Sequence, residues 1–311
     1  MDAVRESIGN RIAAVVLNYN NYSDTVECVD RLLGASRIDI IIVDNDSPDG
    51  SGDRLRERYA SESCVRYLQT GENRGYAAGN NFGIRFVLDG MDDCYICILN
   101  NDTLPNPGML YKLADFLDKN PNCGIVGPVI LENAPGEVIQ SAGADIDLWR
   151  GGVGLLHYHE IYTPKDGAAI CPYISGACLM IRSDDAGHLG PLPECYFLFF
   201  EETEWCLHAS RNGFDIQCLW STRLVHKGSA TVSEQGSLSK YLMIRNRALF
   251  EKRNANALQL MCYVIHTYAH TLVRLLIKRQ DCSWEFSAVR DGLGNRVCDE
   301  YSYVQRSSVD Q

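Results

Sequence analysis

Short apolar runs rich in β-branched residues alternate with helical patterns through the first half of the chain, and each run ends abruptly in a polar, turn-forming segment. Strands separated by helices return in parallel and leave the helices covering the faces of one sheet. Ile12-Ala13-Ala14-Val15-Val16-Leu17 reads as the first strand, and Ser23 is a candidate cap for a helix whose Val26, Val29, Leu32 and Leu33 fall at helical spacing. Ile38 to Val43, Val65 to Leu68 and Tyr95 to Leu99 are the next three strands. A helix carrying Phe82, Phe86 and Val87 precedes the last of these, and Pro105 and Pro107 open another with Leu110, Leu113 and Leu117 on its buried side. The expected fold class is therefore α/β: a mostly parallel sheet with helices on both faces. Three polar loops stack at its carboxyl edge, where open α/β sheets bind ligands.

Beyond Cys123 the many glycines and short strand-like runs predict irregular β structure to about His159, then a strand over Ile174 to Ile181. Glu201-Glu202-Thr203-Glu204-Trp205 opens a helix ending near Gly213, and short strands are expected at Ile216 to Leu219 and Arg223 to His226. From Ser237 the pattern is helical to about Gln280, followed by a polar tail. The net charge of −11 argues against a nucleic-acid partner, because phosphate backbones recruit basic surfaces. The 13 cysteines, many inside apolar runs and with no signal peptide ahead of them, read as reduced cytoplasmic thiols. Cys94 and Cys97 have a C-x-x-C spacing but lie in a buried strand pattern with no second pair, which argues against a metal or redox role.

The turn segments carry specific residues. They are Val16-Leu17-Asn18-Tyr19-Asn20, Val43-Asp44-Asn45-Asp46-Ser47-Pro48-Asp49-Gly50-Ser51, Glu72-Asn73-Arg74-Gly75-Tyr76-Ala77-Ala78-Gly79-Asn80-Asn81 and Leu99-Asn100-Asn101-Asp102, followed by Phe200-Glu201-Glu202-Thr203-Glu204-Trp205-Cys206 and Val225-His226-Lys227-Gly228-Ser229. This ordered set, spanning roughly residues 12 to 250, resembles glycosyltransferase family 2 in its bacterial rhamnosyltransferase-like branch, whose fold is the Rossmann-like GT-A type. The resemblance implies a nucleotide-sugar transferase domain over 1–253, with a donor half near 10–122 and an acceptor half near 123–253, and a C-terminal helical extension and polar tail over 254–311.

It also implies residue roles. Asp44 and the backbone of Leu17, Asn18, Tyr19 and Asn20 would hold the nucleotide; Asn73, Arg74, Gly75, Asn80, Asn101 and Lys227 would approach ribose and diphosphate. Asp102, with His226, would hold Mg²⁺ or Mn²⁺, although Asn100 replaces the first acid of the family's Asp-x-Asp motif. Glu202 matches the base, with Glu201 a competing assignment, and the apolar run Cys195 to Phe200 would desolvate it and raise its pKa. Ser175, Gly176 and Trp205 would line the acceptor side. The implied chemistry is inverting single displacement from a dTDP- or UDP-linked sugar, plausibly rhamnose, to a cell-surface glycan or lipid-linked saccharide, with Gly228-Ser229-Ala230-Thr231 closing over the diphosphate.

Two other classes compete. A sugar-nucleotide pyrophosphorylase would need a Gly-rich phosphate loop after the first strand, which is missing; a catalytically degenerate nucleotide-sugar-binding or scaffold protein is favoured by Asn100 and opposed by Glu202 and His226. The helix from Leu258 to Lys278 has an apolar side and a polar stripe of Gln259, His266, His270, Arg274 and Lys278. It fits either an interfacial helix resting on the inner face of the cytoplasmic membrane or a helix packed on the body of the protein or on a second subunit. His266 and His270 lack the intervening Glu of a zinc-binding helix, since Thr267 stands there. No apolar run is long enough to span a bilayer.

Overall fold

The computed structural model describes residues 11–228, 236–277 and 282–296. The first four apolar runs are strands β1 (Ile12–Asn18), β2 (Ile38–Asp44), β3 (Val65–Gln69) and β4 (Tyr95–Asn100), separated by helices α1 (Tyr22–Asp30), α2 (Ser51–Arg58) and α3 (Tyr76–Gly90). There follow β5 (Thr103–Leu104), α4 (Pro107–Lys119), β6 (Cys123–Glu132), β7 (Ile139–Ser141), β8 (Ala144–Ile146), β9 (Val153–Leu155), β10 (Ala168–Ile170) and β11 (Cys178–Arg182). Helices α5 (Ser183–Leu189) and α6 (Glu201–Arg211), strand β12 (Asp215–His226), and helices α7 (Gly236–Asn254), α8 (Ala257–Leu276) and α9 (Trp284–Leu293) complete the described chain.

The main sheet runs β10-β12-β6-β11-β4-β1-β2-β3, with β5 on β12 and β7 on β6. Strands β1 to β4, β6 and β12 share one direction, while β5, β7, β10 and β11 oppose it. Alternate side chains serve opposite faces. Ala13, Val15, Ile96 and Ile98 join a core with α3, α5 and α6, whereas Ile12, Ala14, Val16, Cys97 and Leu99 join a second core with α1 and α4. Both faces are dry, which is why the strands read as continuous apolar runs.

Several local expectations change. Ser23 lies inside α1; the cap is Asn21, whose side chain accepts from the Asp24 amide. The stretch after Cys123 begins with a ten-residue strand, buried at every position but its last, because β11 and β12 flank it. The strand expected over Ile174 to Ile181 starts only at Cys178 and extends to Arg182. The two short strands near residue 220 are one strand, β12, with a register shift between Leu219 and Arg223. The long C-terminal helix is broken before α8, where Asn256 and Gln259 form a reciprocal capping box. A further helix, α9, packs on α7 through the buried Ala288 and Val289. The remaining tail and Ser229 to Thr231 lie outside the described residues.

Candidate active site

Parallel register brings the ends of β1, β2 and β4 to one edge, pairing Asn18 with Asp44 and Leu17 with Asn100. Asp44 is buried; its Oδ1 accepts from Asn18 Nδ2 at 2.7 Å and Ser47 Oγ at 2.6 Å, and its Oδ2 from the Ser47 amide at 3.1 Å. A carboxylate so coordinated braces the turn after β2. Its neighbour Asn45 is also buried and donates to Asn73 Oδ1 at 2.8 Å.

Above this edge lies a cavity of about 570 Å³, of the size that encloses small ligands. It is lined by Leu17, Tyr19, Asn73, Gly75, Asn101, Asp102, Ser175, Gly176, Glu201, Glu202 and His226 among others. The other residues singled out in the sequence stand off it. Asn18 and Asp44 lie beneath; the Asn20 amide donates to Ser47 Oγ at 3.0 Å; Arg74 pairs with Glu194 at 3.1 Å; Asn80 Nδ2 donates to the Tyr76 carbonyl at 3.0 Å. Lys227 Nζ is 2.5 Å from both Asp24 and Glu27 on α1, so its charge is already engaged. Trp205 does not line an acceptor side: it is core, with its indole N–H donating to the Gly190 carbonyl at 2.9 Å. An aromatic one turn into α6 points at the sheet.

Sequence reasoning gave the hydroxyls of Tyr76 and Tyr173 no role. The Tyr76 hydroxyl donates to the Gly176 carbonyl at 2.8 Å and lies 3.2 Å from Asn100 Oδ1, so the Asn replacing the family's acid sits against a phenol. Tyr173 Oη donates to Glu202 Oε1 at 3.1 Å. Tyr76 lies in the Asn73–Asn81 segment, and Tyr173 opens the segment around Gly176, but the partner of each hydroxyl lies far away in sequence.

The acidic trio divides. Burial tends to raise the Glu204 pKa, but hydrogen bonds from Arg253, Tyr196 and Asn254 overcome it and hold the carboxyl below its ordinary range. Glu201 and Glu202 have no such cation. Glu201 is pushed well above the usual carboxylate range by burial and then by the charge of Glu202, and Glu202 is raised by burial against the opposing bonds from backbone and Tyr173. Desolvation thus outweighs the helix N-terminus, whose pull on a carboxylate amounts to about 1 kcal/mol. The Glu202 charge thus holds Glu201 in its neutral form more strongly than Glu201 holds Glu202. Oε2 of each has no hydrogen-bond partner among the described residues.

Gly176 explains how Glu202 fits. A Cβ there would lie 2.8 Å from Glu202 Oε1 and 3.1 Å from the Tyr76 hydroxyl, so this glycine makes room for the carboxylate itself. Across the cavity, His226 Nε2 is 3.1 Å from Asp102 Oδ1 and His226 Nδ1 is 2.8 Å from Gln140 Oε1. With Nδ1–H donated to Gln140, the Nε2 lone pair faces a buried carboxylate, an arrangement completed by a proton or a cation. Among the described residues no group of three or more His, Cys, Asp and Glu forms a cation cage, and no Lys or Arg lines the cavity. One carboxylate and one imidazole suit a divalent ion whose other ligands are phosphate oxygens and water.

The glycosyl transferase family 2 model matches residues 13–187. The low-salt glycan biosynthesis hexosyltransferase Agl10 of Haloferax volcanii is 28% identical over 252 residues, 79% of this chain and 77% of that protein. The dTDP-rhamnosyl transferase RfbF of Shigella flexneri is 24% identical over 258 residues, 79% and 82% of the respective chains. Among solved structures, the mannosyltransferase PcManGT of Pyrobaculum calidifontis in complex with GDP-Man and Mn²⁺ superposes with a TM-score of 0.56 at 13% identity, covering 96% of this chain and 79% of that one. That likeness speaks for the GT-A fold.

Proposed function

The chain belongs to glycosyl transferase family 2, and from that premise we propose that it is an inverting enzyme moving a sugar, rhamnose from dTDP- or UDP-rhamnose, onto a cell-surface glycan or lipid-linked saccharide. The observation that carries this reading is the shared cavity: Glu202 and the Asp102–His226 pair both border it. Glu202 Oε2 accepts the acceptor hydroxyl proton as that oxygen attacks the anomeric carbon, and Tyr173 holds the other carboxylate oxygen in place. Nucleotide contacts fall to Leu17, Tyr19, Asn45, Asn73 and Asn101 around the cavity mouth, with Asp44 and Asn18 bracing the turns behind them. The site offers the diphosphate no free Lys or Arg among the described residues, and Asp102 and His226 would hold Mg²⁺ or Mn²⁺ there. When bound, such an ion neutralises charge developing on the departing nucleotide diphosphate.

The donor half is assigned to about 10–122, the acceptor half to about 123–253 and the helical extension to 254–311. Along α8, Leu258, Met261, Ile265, Leu272 and Leu276 are all exposed, spaced by three, four or seven residues and so on one side of the helix. Residues 257–276 contain no acid, in a chain of net charge −11, which supports peripheral contact of this face with an anionic cytoplasmic leaflet. No helix among the described residues is long and apolar enough to cross a membrane.

A thermal-shift panel of nucleotide diphosphates and their sugars with Mn²⁺ identifies the donor, because a ligand bound to the native state raises its apparent stability. Turnover of that donor then tests the base: Glu202→Gln should lower kcat by roughly 10²–10⁴-fold with nearly unchanged donor affinity. Retained turnover would remove Glu202 from the role.

A further inference from the structure

Glu201 and Glu202 are delivered into the cavity by a segment with unusual backbone. Phe197, Phe199 and Phe200 have φ of 71°, 72° and 77°, a left-handed conformation that bulky residues rarely hold. The segment makes no regular ladder, yet the carbonyls from 195 to 199 are all engaged. Arg245 Nη1 donates to the Cys195 carbonyl at 2.9 Å. Asn246 Nδ2 lies 2.9, 2.6 and 3.1 Å from the carbonyls of Tyr196, Leu198 and Phe199. The remaining carbonyl, of Phe197, accepts from the Tyr76 amide at 2.7 Å. Asn246 is itself oriented, since its Oδ1 accepts from Arg245 Nη1 at 2.7 Å. Both side chains come from α7 and both are buried. On the cavity side, Gly75 lets the other wall touch: a Cβ there would fall 2.2 Å from the Phe197 carbonyl oxygen.

We propose that Asn246, oriented by Arg245, is a positioning residue that clamps the Phe197–Phe200 turn and thereby fixes the Glu202 carboxylate in its dry seat between Tyr173 and Gly176. This rests on the reading of Glu202 as the base, and it gives α7 a part in catalysis without touching substrate. Without the amide donors of Asn246, the carbonyls of Tyr196, Leu198 and Phe199 lose their partner, and the left-handed residues relax toward extended backbone. The turn then swings, and the carboxylate it carries reaches water. The groups facing Glu202 are Glu201 on its own helix, Tyr173, Tyr76 and Cys206; none is basic, so hydration rather than a lost cation is what its titration reports.

The test uses the full chain carrying ¹³C-carboxyl glutamate, with the Glu202 resonance assigned by its disappearance in Glu202→Gln. In the wild type this carboxyl titrates above the ordinary range; in Asn246→Ala it should move back toward that range. In parallel, kcat for the donor should fall about 10–100-fold with donor KM within about twofold, and the acid limb of the pH–rate profile should shift to lower pH. A folded Asn246→Ala with wild-type Glu202 titration and kcat overturns the proposal. If Asn246→Ala does not fold, Asn246→Asp, which keeps the shape and the Arg245 contact while removing the amide donors, is read in the same way. If neither yields folded protein, Asn246 is a folding requirement and the positioning role falls. The resonance shift is read without turnover, so an unchanged kcat in Glu202→Gln would sink the base assignment alone.

Discussion

Replacing Gly176 by alanine probes the seat of Glu202 with one methyl group. The added Cβ would lie 2.8 Å from Glu202 Oε1 and 3.1 Å from both Glu202 Cδ and the Tyr76 hydroxyl, whereas ordinary contact begins at 3.4 Å. Restoring contact therefore requires the carboxylate to retreat by about 0.6 Å, the difference between 3.4 and 2.8 Å. The obstructing atoms are the ends of side chains rather than backbone, so the fold should lose no more than about 1 kcal/mol. Catalysis is less tolerant: a misplacement near 1 Å costs on the order of 10²-fold, and 0.6 Å should cost roughly tenfold in kcat. Nucleotide binding, made at the far end of the cavity, should stay within about twofold. The assay is steady-state turnover at saturating donor and acceptor, with calorimetric titration of the nucleotide diphosphate and a melting curve as controls. A folded Gly176→Ala enzyme whose kcat lies within twofold of wild type would refute the placement of the reacting carboxylate against this glycine.

Gly75→Ala should be far more damaging to stability, by about 3 kcal/mol or more, because φ is +93° and the new Cβ would meet a backbone carbonyl at 2.2 Å; a denaturant titration checks it. Glu251, fully buried on α7 with neither carboxylate oxygen hydrogen-bonded among the described residues, is pushed up by burial to about 8. Its native form holds a proton that the unfolded chain gives up near 4.5, so stability falls as pH rises from 4.5 toward 8; Glu251→Gln should flatten that fall and add roughly 2–4 kcal/mol at pH 9, read by chemical denaturation across pH. Asp102→Ala should weaken the binding of a nucleotide diphosphate in Mn²⁺ at least tenfold and leave metal-free binding almost unchanged, by calorimetry with and without chelator. Equal losses in the two conditions would remove the cation from Asp102.

Local chemistry alone carries much of this protein. Period and turn residues locate β1 to β4, because runs buried on both faces have no polar alternation to blur them, and the polar segments after them mark the edge that binds. Asp102, His226, Glu201 and Glu202 stand out as types and positions before any coordinates, and they do meet in one cavity. What the chain does not announce depends on neighbours distant in sequence. Lys227 is a free cation on paper and an engaged one once α1 lies beside β12. Trp205 turns from acceptor-facing to core when α6 settles on the sheet. Glu204 separates from Glu201 and Glu202 because α7 brings Arg253 to it, 2.6 Å away, and to neither of the others. Tyr173 and Asn246 gain roles only through partners 29 and up to 50 residues off. Period and residue type fix which side chains exist and which elements they ride on; desolvation and pairing, which set the charge each one bears, come from contacts that close only when the sheet and its helices have packed.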